Sequence, residues 1–152
     1  MLYLDLEVEL PNSDGYVSRR AQGGMAMEQE KYVAYVCTYT QGDKHGIRIY
    51  DVDMEQGHFR EKDKVEITNS SYVTISHNNK YLYSITDFGV ESYRIMGDGD
   101  LSMINFASIN GMRGCYLSTD YTDRYLFVAG YHDGKLTVLA LNDYVSIGEI
   151  TD

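Results

Sequence analysis

Apolar and polar residues alternate along this chain in short bursts, each closed by a turn signal. Residues 1–10, MLYLDLEVEL, alternate cleanly, with Leu2, Leu4, Leu6, Val8 and Leu10 on one side and Tyr3, Asp5, Glu7 and Glu9 on the other. A period of two is that of a strand with one buried face. The polar stretch PNSDGYVSRRAQGG reads as loop. YVAYVCTYT (Tyr32 to Thr40) and IRIYDVD (Ile47 to Asp53) alternate again, with QGDKHG as the turn between them. The charged run HFREKDKVEIT has the look of an outermost, solvent-facing strand. SYVTIS, KYLYSIT, VESYRI and LSMINFASI follow, and then Gly114 to Leu141 holds three more runs, CYLS, RYLFVAG and KLTVLAL. Asp133-Gly134 between two apolar runs predicts a hairpin, because the turn needs a positive φ that Gly adopts without steric cost. SIGEI closes the series, and no segment carries a convincing helical period.

The bursts repeat. Tyr-Leu-Tyr at Tyr81 and Tyr-Leu-Phe at Tyr125 are 44 residues apart, as are Tyr72 and Tyr116. Tyr-Val-Ala at Tyr32 precedes Tyr81 by 49, the excess falling in the charged segment after Gly57. Behind each lies an equivalent second strand: GIRIYDV, GVESYRI and GKLTVLAL. A period in the forties with four short strands per unit predicts an all-β chain of β-propeller blades, each a four-stranded antiparallel sheet. The units are blade one at 31–69, which lacks an inner strand of its own, blade two at 70–111 and blade three at 112–152.

Three blades do not close a ring, since propellers typically have about four to eight. Open blade edges and apolar faces invite association. The expectation is therefore a partial propeller completed by missing blades, or else by self-association of copies. Residues 1–30 stand outside the repeat and admit two readings. In one, residues 1–24 are a true extension whose strand pairs with an exposed sheet edge. In the other they are a leader from an over-long gene reading, with the natural start at Met25 or Met27.

Composition supports the all-β reading: 15 Tyr and 14 Gly against one Pro and no Trp. Tyr suits a pleated, half-buried surface, and Gly suits frequent tight turns. The formal net charge is −10, which repels phosphate backbones and anionic lipid and so argues against nucleic acid and membrane as partners. Any anion site must be a local basic pocket. Cys37 and Cys115 lie in predicted strands far apart, and both are expected to be buried free thiols. With no secretory signal and no apolar run of membrane-spanning length, the expected location is cytoplasmic.

With the repeat in view, a family resemblance can be stated. The run from about Lys31 to Asn142 resembles the N-terminal blades of the lactonase family of seven-bladed propellers, which includes the bacterial propeller-type 6-phosphogluconolactonases and the fungal carboxymuconate lactonising enzymes. Cys37 to Thr40, CTYT, resembles the family's Gly-Thr-Tyr-Thr, followed by its Gly-Ile-x-x-Tyr strand at Gly46 to Tyr50. NSSYVTIS resembles its Asn-Pro-Ser-Tyr-Leu blade start, and RYLFVAGYHDGKLTVLAL its Arg-Tyr-Leu-Phe-Val-Ala-Asn-Tyr strand pair. The resemblance implies a lactone hydrolase with a small-molecule lactone as partner, most naturally a phosphosugar lactone, and no cofactor. Two departures matter. Members commonly carry His where this chain has Tyr116, and phenols as a class titrate near about 10, too high for a base at neutral pH. The family's proposed catalytic His, Arg and Glu lie mostly in later blades, so the fragment is expected to be inactive alone.

Lactone hydrolysis needs a base to activate water and a donor for the developing oxyanion, and a phosphosugar adds a need for Arg or Lys. In a propeller these groups belong where inner strands meet the central funnel. That selects Arg113 and Tyr116 as funnel candidates, with Tyr72 at the equivalent place one blade earlier. Tyr72 and Arg113 are the candidates for substrate binding. The bland alternatives are blade packing for the tyrosines and an inter-blade salt bridge for Arg113. His132, beside Asp133, is a candidate polarised base, against the alternative of a simple turn residue. His45, His58, His77 and His132 do not pair at metal-ligand spacing, so no metal site is expected. No Ser or Cys has a nucleophile-elbow context, and the Gly-rich turns precede no helix and cradle no phosphate.

Overall fold

The computed structural model describes residues 4–9, 32–40, 44–143 and 146–152. The polar stretch after Glu9, with its alternative starts at Met25 and Met27, lies outside the described residues, as does the QGD part of the first turn. All twelve described elements are strands: β1 (Leu4–Glu9), β2 (Tyr32–Cys37), β3 (Ile47–Asp53), β4 (His58–Val65), β5 (Val73–Ile75), β6 (Tyr81–Thr86), β7 (Gly89–Ile95), β8 (Leu101–Ala107), β9 (Tyr116–Thr119), β10 (Tyr125–Ala129), β11 (Leu136–Asn142) and β12 (Ser146–Ile150). They form three four-stranded antiparallel sheets in simple meander order: β1–β4, β5–β8 and β9–β12.

The first sheet has four strands because β1 pairs along the free edge of β2. Leu4 pairs with Val36 and Glu9 with Tyr32, with an irregularity between Asp5 and Val8. A strand edge is a row of unpaired N–H and C=O groups, and a nearby alternating run is well suited to fill it. The turns follow their residue chemistry. Gly134 closes the β10–β11 connection at φ 64°, and Asn79 and Asp123 take φ 57° and 51° in the turns before β6 and β10. Asn and Asp tolerate this left-handed region better than other non-glycine residues.

The core lies between sheets. Val33, Tyr35, Cys37, Ile47 and Ile49 of the first sheet meet Val73, Leu82, Tyr93 and Ile95 of the second. Tyr81, Tyr83, Ile85 and Val90 of the second meet Leu117, Leu126, Val128, Leu139 and Ile147 of the third. Alternation along β6 sends Leu82 one way and Tyr81, Tyr83 and Ile85 the other, so the whole strand is buried. Its hydroxyls on the first-sheet side are satisfied: Ser84 Oγ lies 2.7 Å from Ser70 Oγ, and Thr86 Oγ1 lies 3.1 Å from Thr68 Oγ1. Buried polar atoms without such partners would cost about 1–3 kcal/mol each.

Polar clasps fix the stacking. Tyr35 donates to the Gly99 carbonyl at 2.8 Å, and Lys62 reaches Asp100 at 2.7 Å, both from the first sheet to the β7–β8 turn of the second. Burial, reinforced by Asp100 and Asp98, pushes the Tyr35 phenol well above its usual pKa. The Asp123 carboxylate, itself buried, accepts the His77 amide at 2.9 Å and the Asn78 amide at 3.2 Å, joining the third sheet to the second. Asn105 exchanges two hydrogen bonds with the Ile147 backbone, at 2.7 and 3.1 Å.

One expectation needs correction. Cys37 is buried, but Cys115 is exposed. It precedes β9 at the border of the third sheet, which no further described sheet covers, and its thiol lies 3.3 Å from the Ala129 carbonyl oxygen. Both cysteines are free thiols.

Candidate functional site

Antiparallel pairing brings five connections to one end of the sheets: residues 38–40 after β2, the Asp87–Phe88 turn between β6 and β7, residues 130–135 between β10 and β11, and the junctions leading into β5 and β9. Tyr72 and Ile85 illustrate the closure, the Ile85 amide donating to the Tyr72 carbonyl at 3.0 Å. Onto this rim the fold gathers a polar cluster drawn from all three sheets, with Asp87 at its centre.

Asn69, in the junction before β5, donates through Nδ2 to Asp87 Oδ2 at 2.8 Å. Arg113, in the junction before β9, donates through Nη1 to Asp87 Oδ1 at 3.0 Å. Asn69 and Arg113 are 44 residues apart, so equivalent positions of adjacent junctions grip the two oxygens of one carboxylate. Asn69 adopts φ 48°, and its Oδ1 accepts the Thr40 amide at 2.9 Å. The Arg113 guanidinium also lies over the Tyr39 ring, 4.9 Å from its centroid, in cation–π range. The pair is half-buried and of modest energetic weight; its main effect is orientation. Guanidinium carries five N–H donors, and one goes to Asp87, which leaves donors for a carbonyl, carboxylate or phosphate oxygen.

Tyr72 and Tyr116 stand side by side, ring centroids 4.8 Å apart. Tyr116 is 50% exposed, with its phenol at the border of the third sheet. Ser71 and Gly114 link the same two junctions through a 3.4 Å hydrogen bond. His132 is elsewhere on the rim, its ring packed edge-on against Tyr131 at 5.5 Å. Asp133 does not serve it as a polarising partner. Its Oδ2 accepts the Met112 amide at 3.0 Å and its Oδ1 the Lys135 amide at 3.3 Å. Those bonds, led by the one from Met112, hold its carboxyl below the usual range. The role of Asp133 is to anchor the segment that delivers Arg113.

The fold therefore unites Arg113 with Asp87, Asn69 and Tyr39, pairs Tyr72 with Tyr116, and leaves His132 apart. Asp87 and Asn69 were not among the sequence candidates. The 44-residue offset from Arg113 was a usable signal for Asn69. Asp87 had none, being one acid in a tight turn. Among the described residues, no group of three or more His, Cys, Asp or Glu is arranged to hold a metal ion.

Residues 33–152 match the family model described as Lactonase, 7-bladed beta-propeller. The chain belongs to this family. It is 34% identical over 119 residues to a 6-phosphogluconolactonase of Bacillus subtilis, covering 74% of this chain and 34% of that protein. A crystal structure described as a putative 6-phosphogluconolactonase from Bacteroides fragilis superposes with a TM-score of 0.74 at 26% identity, over 80% of this chain and 35% of that one. The structure of a periplasmic gluconolactonase from Pseudomonas aeruginosa gives 0.73 at 26%, over 80% and 38%. The chain thus spans about a third of the length of the relatives it matches. Among the described residues no helix is long and apolar enough to cross a membrane.

Proposed function

We propose that this chain is part of a lactone hydrolase that opens a phosphosugar lactone, in the manner of a 6-phosphogluconolactonase. The observation that carries the reading is the family match over residues 33–152 together with the similarity to the Bacillus subtilis enzyme. In the reaction a water oxygen bonds to the lactone carbonyl carbon, the carbonyl oxygen becomes anionic, and collapse expels the ring oxygen, which takes a proton to give the open-chain acid. Arg113 serves as the donor to the substrate's phosphate or carbonyl oxygen, held at a set angle by Asp87 and Tyr39. Tyr72 and Tyr116 line the approach. The base is supplied from outside these three sheets, by further blades or by another copy associated at the open blade edges. The protein works in the cytoplasm, where phosphosugars are found, in contrast to the periplasmic relative.

A second reading, a non-catalytic propeller that binds a partner, draws support from the same contacts: Arg113 is already paired and the two tyrosines are packed together. Propellers host many unrelated functions. Assay of the full-length protein for lactone opening above the spontaneous rate separates the two. Acceleration with phosphosugar lactones supports the hydrolase, and no acceleration with any sugar lactone overturns it.

A further inference from the structure

Phe88 occupies the tip of the two-residue β6–β7 turn and is 77% exposed, although every residue of the strand leading into it is buried. Its place is not slack. A Cβ on the next residue, Gly89, would lie 2.1 Å from the Ala107 carbonyl oxygen, so the turn is seated tightly on β8 and its tip points off the rim. The preceding residue is Asp87, whose carboxylate holds Arg113, while the other side of that guanidinium rests on Tyr39. Phe88 therefore stands one residue along the turn from the carboxylate that holds the cation. By sequence offset a ring falls in each corresponding connection, Tyr39 lying 49 residues before Phe88 and His132 lying 44 after it, although the connections differ in length.

An exposed apolar ring on the same turn as the acid that fixes a guanidinium suits a closed sugar, which presents a face of C–H bonds between polar edges. The open-chain acid has no such rigid face. Resting on the phosphosugar reading above, we propose that Phe88 is a specificity-determining residue: it stacks on the closed ring of the lactone while Arg113 takes the phosphate, and it favours lactone over the opened product.

The test uses the full-length protein that contains these blades, with NMR chemical shifts as readout and two stable probes. One is 1,5-anhydroglucitol 6-phosphate, which keeps the ring and has no carbonyl to open; the other is glucitol 6-phosphate, its open-chain counterpart. The expected result is tighter binding of the closed probe by about three- to ten-fold, the scale of one aromatic contact. Phe88→Ala should abolish that preference and Phe88→Tyr restore it, while Arg113→Ala weakens both probes alike. Equal binding of the two probes to the native chain, or an unchanged ratio in Phe88→Ala, overturns the role of Phe88 and leaves the phosphosugar reading intact. Failure of both probes to shift residues around Arg113 overturns the phosphosugar reading, and the Phe88 role with it.

Discussion

Strands β6 and β10 begin with nearly the same words, Tyr81-Leu82-Tyr83 and Tyr125-Leu126-Phe127, and occupy the same place in their sheets. Their fates differ. Every residue of β6 is buried, and Tyr81 is 7% exposed, whereas β10 buries Leu126 and Val128 and leaves Tyr125 38% exposed. Local sequence does not cause the difference. The second sheet has a neighbour on each face, and the third has a described neighbour on one. An apolar face in a propeller blade is thus written for a partner sheet, and its burial measures whether that partner is present.

The largest effect expected from this contrast is at Tyr83. Removing this fully buried ring in Tyr83→Ala should cost about 3–5 kcal/mol, while Phe127→Ala, at the equivalent position, should cost about 1 kcal/mol or less. Denaturant unfolding at several protein concentrations measures both. Equal costs would mean that the third sheet's outer face is covered in solution.

Next comes the clasp between the second and third sheets. Asp123→Ala removes the carboxylate partner of two amides, those of His77 and Asn78, and should cost about 1–3 kcal/mol. Hydrogen exchange should show the β5–β6 turn losing protection first. Unchanged protection there would remove Asp123 from the account of sheet stacking.

At the rim the expected stability change is smaller, because the ion pair is half-exposed. Asp87→Asn should leave folding within about 1 kcal/mol of the native chain but release Arg113 from Tyr39, seen as a change in the Tyr39 ring shifts. A guanidinium that stays on the ring would show that Tyr39 alone positions it.

The smallest effect separates the two sheets by pH. Asp120 and Ser76 are equivalent turn residues, 44 apart. Asp120 Oδ1 accepts the Arg124 and Tyr125 amides at 2.7 and 2.8 Å, while Ser76 Oγ accepts the Tyr81 amide at 3.0 Å. Desolvation raises the Asp120 pKa, but hydrogen bonds from the Thr122 hydroxyl and three amides outweigh it and bring the carboxyl down to about 2. A carboxyl depressed on folding contributes stability above its unfolded pKa of about 4 and loses it as pH falls through the folded value. Amide protection at Tyr125 should therefore weaken between about pH 4 and 2, while that at Tyr81, held by a neutral hydroxyl, stays level. Parallel loss at both turns would point to global acid unfolding instead.

Period-two alternation, the Asp-Gly turn and the 44-residue offset were enough to read strands, sheet order and the propeller class from residues alone, since each reflects a local rule of backbone geometry. The same offsets selected Arg113, Tyr72 and Tyr116. Tertiary structure decided the rest. It brought Asn69, Asp87 and Arg113 from three separate connections onto one carboxylate, turned Asp133 away from His132 to anchor the Arg113 segment, and set β1 against β2. It also exposed Cys115, just ahead of β9, while burying Cys37 at the end of β2, although alternation placed both in strands. Alternation says that a face is apolar, and repetition says that it recurs. Whether a given face is covered, and which side chains meet at a junction, depends on sheets far apart in sequence, and only their packing supplies that.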